Sequence, residues 1–216
     1  MAVEKKRVFG VFEAVFDVLY LAFALGLGVY MLWTSSGGPR TLAGIMALVL
    51  AGGDAFHLAP RIAAIWAGSE ARFARALGVG KFITSITMTA FYALLWHLGT
   101  RLIPGVHALW TDIFYALLIL RVALCLPADN RWLSEKPPVK WGVIRNVPFF
   151  LMGAQVAVLF LLGDALPLMP VAILLSFLFY IPVVLFANEH PRVGMLMLPK
   201  TLAYVWILVM CAQNVN

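Results

Sequence analysis

The sequence predicts an all-α, polytopic integral membrane protein, a bundle of seven transmembrane helices with the N-terminus in and the C-terminus out. Three observations carry that expectation. Of the 216 residues, 63% are hydrophobic and 12% charged, whereas soluble domains average roughly 25% charged residues. Seven apolar runs are each long enough to cross a bilayer, which takes about 20 residues of helix. Short polar connections separate most of them, with turn chemistry at "SSGGPR", "GTRLIPG" and "GDALPLMP".

The first run, 9–33, follows "MAVEKKR". A basic start before apolar residues also suits a signal peptide. This stretch is about twice as long as a signal's apolar region and contains Glu13 and Asp17, so it reads as a retained first span. The second run, 41–64, is interrupted by "LAGGDAFHLAPRI", which carries Asp54, His57, Pro60 and Arg61 into the membrane. The third, 79–99, contains "KFITSITMTAF", and the fourth, 108–126, contains Arg121. Between the fourth and the fifth, 142–163, "LPADNRWLSEKPPVKW" includes Pro137-Pro138 and cannot continue a helix. The sixth, 167–187, and the seventh, 192–213, carry Pro182 and Pro199, and Lys200 follows the latter. Strands are improbable because the runs are long and do not alternate. With no long linker, residues 1–216 form one seven-span domain.

Orientation follows from the basic residues. Lys5, Lys6, Arg7, Arg61, Arg72, Arg75, Lys81, Arg131, Lys136, Lys140, Arg145 and Arg192 fall on one side, twelve against two, Arg40 and Arg101, on the other. The positive-inside rule assigns the twelve to the cytoplasm, which in a prokaryote makes this an inner-membrane protein. The net charge of +6 therefore reads as topology rather than nucleic-acid binding, and membrane lipids are the expected partners. Cys125 and Cys211, far apart in apolar stretches, imply no disulfide framework. Trp33, Trp66, Trp96, Trp110, Trp132 and Trp141 fall near span ends and read as interface anchors.

The buried polar residues are one-sided. At 1.5 Å of rise per residue, Asp17, Asp54 and Lys200 lie about 13, 15 and 12 Å from the cytoplasmic ends of spans 1, 2 and 7. Nearer the cytoplasm come Glu13, His57, Arg61, Lys81, Arg145, Asn146 and His190. Helical spacing aligns Asp54, His57 and Arg61 on one face, Glu13 with Asp17, Lys200 with Tyr204, and Lys81 with Ser85. A charge at mid-membrane costs a few kcal/mol even on the generous insertion scale, so these groups should face one another or a wet cavity. The expectation is a cytoplasm-facing intramembrane polar pocket. Asp17, Asp54, Lys200 and His57 are its candidate catalytic residues. Glu13, Arg61, Lys81, Ser85, Arg145, Asn146, His190 and Tyr204 are its candidate substrate contacts. A structural reading stands beside this one: Lys200 pairs with Asp17 or Asp54 to fix helix register, and Arg61, Arg145 and Arg192 reach for headgroups.

"GGDAFHLAPRI" and, further on, "ALGVGKFITSITMTAFYALLW" resemble the lysoplasmalogenase-type (YhhN-like) membrane hydrolases over residues 52–96. The specific part is Gly53-Asp54, Pro60, Gly78 and Phe82 with their spacing. The resemblance implies hydrolysis of a lipid vinyl ether by a pair of buried aspartates. Family members usually have eight spans, a histidine in the next span where Ile86 or Thr87 stands here, and a late second aspartate, whose part Asp17 could take. Two carboxylates in a low-dielectric site cannot both ionise cheaply, so one keeps its proton as general acid while the other takes a proton from water. Asp17 and Asp54 are the pair, with Lys200 tuning them and His57 as alternate base.

Hydrolysis of lipids or lysolipids without a cofactor is thus the leading reading. Zinc held by Asp54, His57, His190 and Glu13 is a less favoured version, because the ligands lack clear zinc spacing. The rival class is a proton-coupled small-solute transporter, which needs the same carboxylates and a pocket. A remote alternative is retinal bound through Lys200 as a Schiff base.

Overall fold

The computed structural model describes residues 2–134 and 136–215, with side chains from residue 9 onward; the Lys5, Lys6 and Arg7 side chains of the charge count lie outside the described residues. Among the described residues there are seven α-helices: α1 (Ala2–Trp33), α2 (Pro39–Ala67), α3 (Ala74–Leu102), α4 (Ala108–Cys125), α5 (Val139–Leu162), α6 (Met169–Phe186) and α7 (Met197–Asn214). Short 3₁₀ turns at Ala71–Phe73, Ala128–Asn130 and Pro191–Leu196 lead into α3, α5 and α7. All seven helices are long and apolar enough to cross a membrane.

Helix boundaries follow local chemistry. Pro39 opens α2 at a position where its missing N–H is no loss. Gly68 ends α2 in the left-handed conformation (φ 65°), its N–H closing onto the Ala64 and Ile65 carbonyls. The His107 imidazole caps α4 by accepting from the Leu109 N–H at 3.2 Å. The seventh span differs most from expectation. A continuous helix from 192 would place Pro199 in its interior, where proline removes a hydrogen bond and clashes with the preceding turn. The chain instead runs through 3₁₀ geometry over Pro191–Leu196 and starts α7 at Met197, so Pro199 and Lys200 sit in the first turn.

Neighbours in sequence pack side by side, and α7 closes the bundle against α1 and α2 while α3 also meets α5. Small residues make close approach feasible, as association between membrane helices requires. Gly28 of α1 faces Ala47 and Leu48 of α2, and Gly44 of α2 faces Leu32. The tightest seam joins α2 to α3. Gly53 lies against Thr87, and Gly80 lies against the Phe56 carbonyl and the His57 backbone. Pro60 cannot donate the amide that would otherwise satisfy the Phe56 carbonyl, and this is the carbonyl on which Gly80 settles.

Aromatic side chains fill the centre. Tyr92 packs edge-on against Phe91 and Phe149 and stacks with Phe177, and Phe91 meets Tyr204 edge-on. Large apolar side chains such as Phe12, Leu19, Ile119 and Leu161 point outward, as lipid-facing residues must. Trp33, Trp66 and Trp110 are exposed near helix ends. Trp96 corrects the anchor reading: it is fully buried and stacks on Phe114, with ring centroids 4.7 Å apart. Its position near a span end was right, but its face of α3 turns inward.

Candidate functional site

Except for Arg40, which is buried at the opposite end and donates to the Ala212 and Val215 carbonyls, the charged residues described on α1, α2 and α7 gather toward the end of the bundle where α1 begins. Asp54, half-buried on α2, accepts a hydrogen bond from the Tyr20 hydroxyl at 2.7 Å. Asp17, on the same face of α1 one turn earlier, is buried, and its Oδ2 has no partner. A turn nearer the helix end, Glu13 accepts from the Arg61 guanidinium at 2.7 and 3.4 Å. Arg61 also donates to Glu70 in the connection after α2, at 2.7 Å. These two are the ion pairs among the described residues; they tie α1, α2 and the start of the next connection together.

Lys200 is buried, yet it makes no ion pair with either aspartate. Its ammonium lies over the rings of Tyr180, 4.9 Å away, and Tyr204, 5.0 Å away. The register-fixing ion pair anticipated for Lys200 is therefore replaced by contacts with aromatic faces, which attract a desolvated cation through their quadrupoles. Tyr204, one turn further along α7, is fully buried in the aromatic centre.

His57 is half-buried, and its Nδ1 is buried with no partner. The seam of small residues places it there: Gly80 brings α3 directly over the His57 backbone. On α3, Lys81 and Ser85 are half-buried. Thr84, between them, donates to the Gly53 carbonyl at 3.0 Å, one residue before Asp54.

The remaining candidates stand elsewhere. Arg145 turns toward the α4–α5 connection, donating to Asn130 Oδ1 at 2.8 Å. Asn146 is fully buried in α5, where its amide donates to the Gly142 carbonyl at 2.8 Å and its Oδ1 has no partner. His190 is exposed in the connection before α7. No three His, Cys, Asp or Glu side chains among the described residues converge on a point that could hold a metal ion. The Asp54, His57, His190 and Glu13 set is thus not assembled here. A cleft of about 240 Å³ opens at the opposite end, lined mainly by apolar residues such as Trp96, Ile103, Trp110 and Leu159.

Tyr20 is the site residue that the sequence reading missed. It continues the i, i+4, i+7 series of Glu13 and Asp17, so the spacing that grouped those two also pointed to it. Tyr180 carried no such signal, because its relation to Lys200 depends on how α6 and α7 pack.

Fold and site together define a polytopic seven-helix membrane protein with a cluster of ionisable side chains at one end. No protein-family model, curated protein or solved structure matches the chain.

Proposed function

We propose that this protein is a membrane-embedded hydrolase of lipids or lysolipids in which Asp17 and Asp54 are the acid–base pair. The observation that carries the reading is the Asp54 carboxylate fixed by Tyr20 beside an unpartnered, buried Asp17. One carboxyl donates a proton to the leaving group as the other takes a proton from attacking water. Lys200, its ammonium held over the Tyr180 and Tyr204 rings, is the cation of the cluster. The site faces the cytoplasm in this reading, on the strength of the twelve basic residues assigned to that side.

The test is mass spectrometry of purified protein incubated with bacterial and ether lysolipids, beside Asp54→Asn. Disappearance of one lipid with appearance of its fragment, abolished in the variant, is the expected result. A folded wild-type protein that turns over none of them overturns the reading.

A second reading, a proton-coupled small-solute transporter, is favoured by one further observation. Pro60, Pro148 and Pro182 lie inside α2, α5 and α6 in the charged half of each, and α7 is preceded there by 3₁₀ geometry. Helices interrupted around a polar site are a means of rearranging it. Solute uptake driven by a pH gradient in liposomes, lost in Asp54→Asn, would establish that reading instead.

A further inference from the structure

Two arginines share a buried corner at the same end of the bundle, between α4, α5 and the connection joining them. Arg121, one turn before the end of α4, is fully buried. Its Nη1 donates to the Arg145 carbonyl at 2.6 Å, and its guanidinium carbon lies 5.1 Å from the centre of the Phe149 ring. The Arg121 Nε is buried and has no partner. The Arg145 guanidinium carbon lies over the Trp132 indole, 4.2 Å from the ring centroid, and Arg145 donates to Asn130 Oδ1.

The scaffold beneath the two guanidiniums is fixed. Asn130 is fully buried and donates to the Leu124 and Pro127 carbonyls. Trp132 donates to the Cys125 carbonyl at 3.0 Å and meets Phe82 edge-on. Phe82 follows Lys81, which is half-buried on α3. Among the described residues no carboxylate pairs with any of the three cations.

A structural role accounts for part of this. Pro148 leaves the Ile144 carbonyl of α5 without its helical donor, and in the same turn one Arg121 donor meets the Arg145 carbonyl. It leaves the unpartnered Nε and the adjacent like charges unexplained. Like charges brought together out of water are costly unless an anion joins them, and paired guanidinium forks match the oxygens of a phosphate.

We propose that Arg121, Arg145 and Lys81 form a binding site for a phosphate group, supplied by a lipid headgroup or by free phosphate. It stands on residues other than Asp17 and Asp54, so it holds or fails apart from the hydrolase reading. The probes are phosphatidic acid and a monoglucosyl diacylglycerol with the same acyl chains, mixed in equal amounts with the full-length protein in mild detergent. Native mass spectrometry reads the lipid retained, and inorganic phosphate serves as competitor.

Wild type retains phosphatidic acid over the glycolipid by about tenfold or more. Arg145→Gln abolishes that preference, and Arg101→Gln, which removes an exposed cation at the far end of α3, leaves it intact. Displacement by inorganic phosphate assigns the site to phosphate in general; retention of phosphatidic acid against it assigns the site to a headgroup. Equal retention of the two lipids by wild type overturns the proposal, and so does an unchanged preference in folded Arg145→Gln. Should that variant not fold, Lys81→Gln is read in the same way.

Discussion

The Tyr20 hydroxyl and the Asp54 carboxylate are the pair on which most of the proposed chemistry depends. A hydrogen bond to a charged group contributes about 1.5–3 kcal/mol, and this one also sets which way the carboxylate points. Tyr20→Phe keeps the ring and removes only the donor. It should lower turnover by about tenfold or more while the folded state persists. Steady-state rates compared with the thermal midpoint separate the two effects; equal loss of both would make the bond merely structural. Lys200 calls for a different substitution. With its ammonium over two tyrosine rings, Lys200→Met preserves the stem and removes the charge. We expect this variant to fold and to lose activity, as an intramembrane cation retained for chemistry rather than packing should.

At the scale of helices, α2 and α3 meet along a seam that leaves no room for a side chain. A Cβ at Gly53 would collide with the Thr87 side chain, whereas a Cβ at Gly80 would collide with backbone atoms of Phe56 and His57. The two sites should therefore respond differently. Gly53→Ala destabilises by about 1–3 kcal/mol, the usual range for overpacking, and Thr87→Ala in the same chain restores only part of that loss, because it removes Oγ1 and Cγ2 but leaves the Thr87 Cβ in the way. Gly80→Ala has no flexible neighbour to trim, so no single second change rescues it. Thermal midpoints of the three variants in detergent check this, and rescue of Gly80→Ala by Thr87→Ala would contradict it. The Glu13–Arg61–Glu70 link acts at the same scale. Exposed ion pairs couple by only about 0.2–1 kcal/mol, and here Glu70 is largely exposed whereas Glu13 is mostly covered. A double-mutant cycle should give the larger coupling for Glu13 with Arg61.

For the whole molecule, orientation is the first matter to measure. Ser36 in the α1–α2 connection and Lys136 before α5 are exposed at opposite ends of the bundle. Ser36→Cys should react with a membrane-impermeant maleimide from outside intact cells, and Lys136→Cys only after the membrane is opened. The reverse pattern would invert the orientation. The native Cys125 and Cys211 are buried and should not interfere.

The seven helices and their approximate ends were legible in the sequence, because membrane insertion reads hydrophobic length, a local quantity that neighbouring residues settle among themselves. The nearness of Asp54 to the charged face of α1 was legible too, since Tyr20, one turn beyond Asp17, reaches it, whereas the rise counted for Lys200 assumed a helix from 192 and α7 begins at Met197. Depth does not give azimuth. Which face of α7 meets α1 and α2, and whether Lys200 finds a carboxylate or a tyrosine ring, depends on helix packing set by glycines, prolines and aromatic volumes from several helices at once. For the same reason Arg145, grouped by depth with Asp54, turns away to Asn130 and Trp132, and Trp96, placed by its nearness to a span end, turns into the core. Composition and periodicity determined that the chain is a seven-helix membrane protein with most of its charges toward one end. Only the tertiary structure decided which charges meet, because contact between helices is a property of their facing surfaces and not of any one segment.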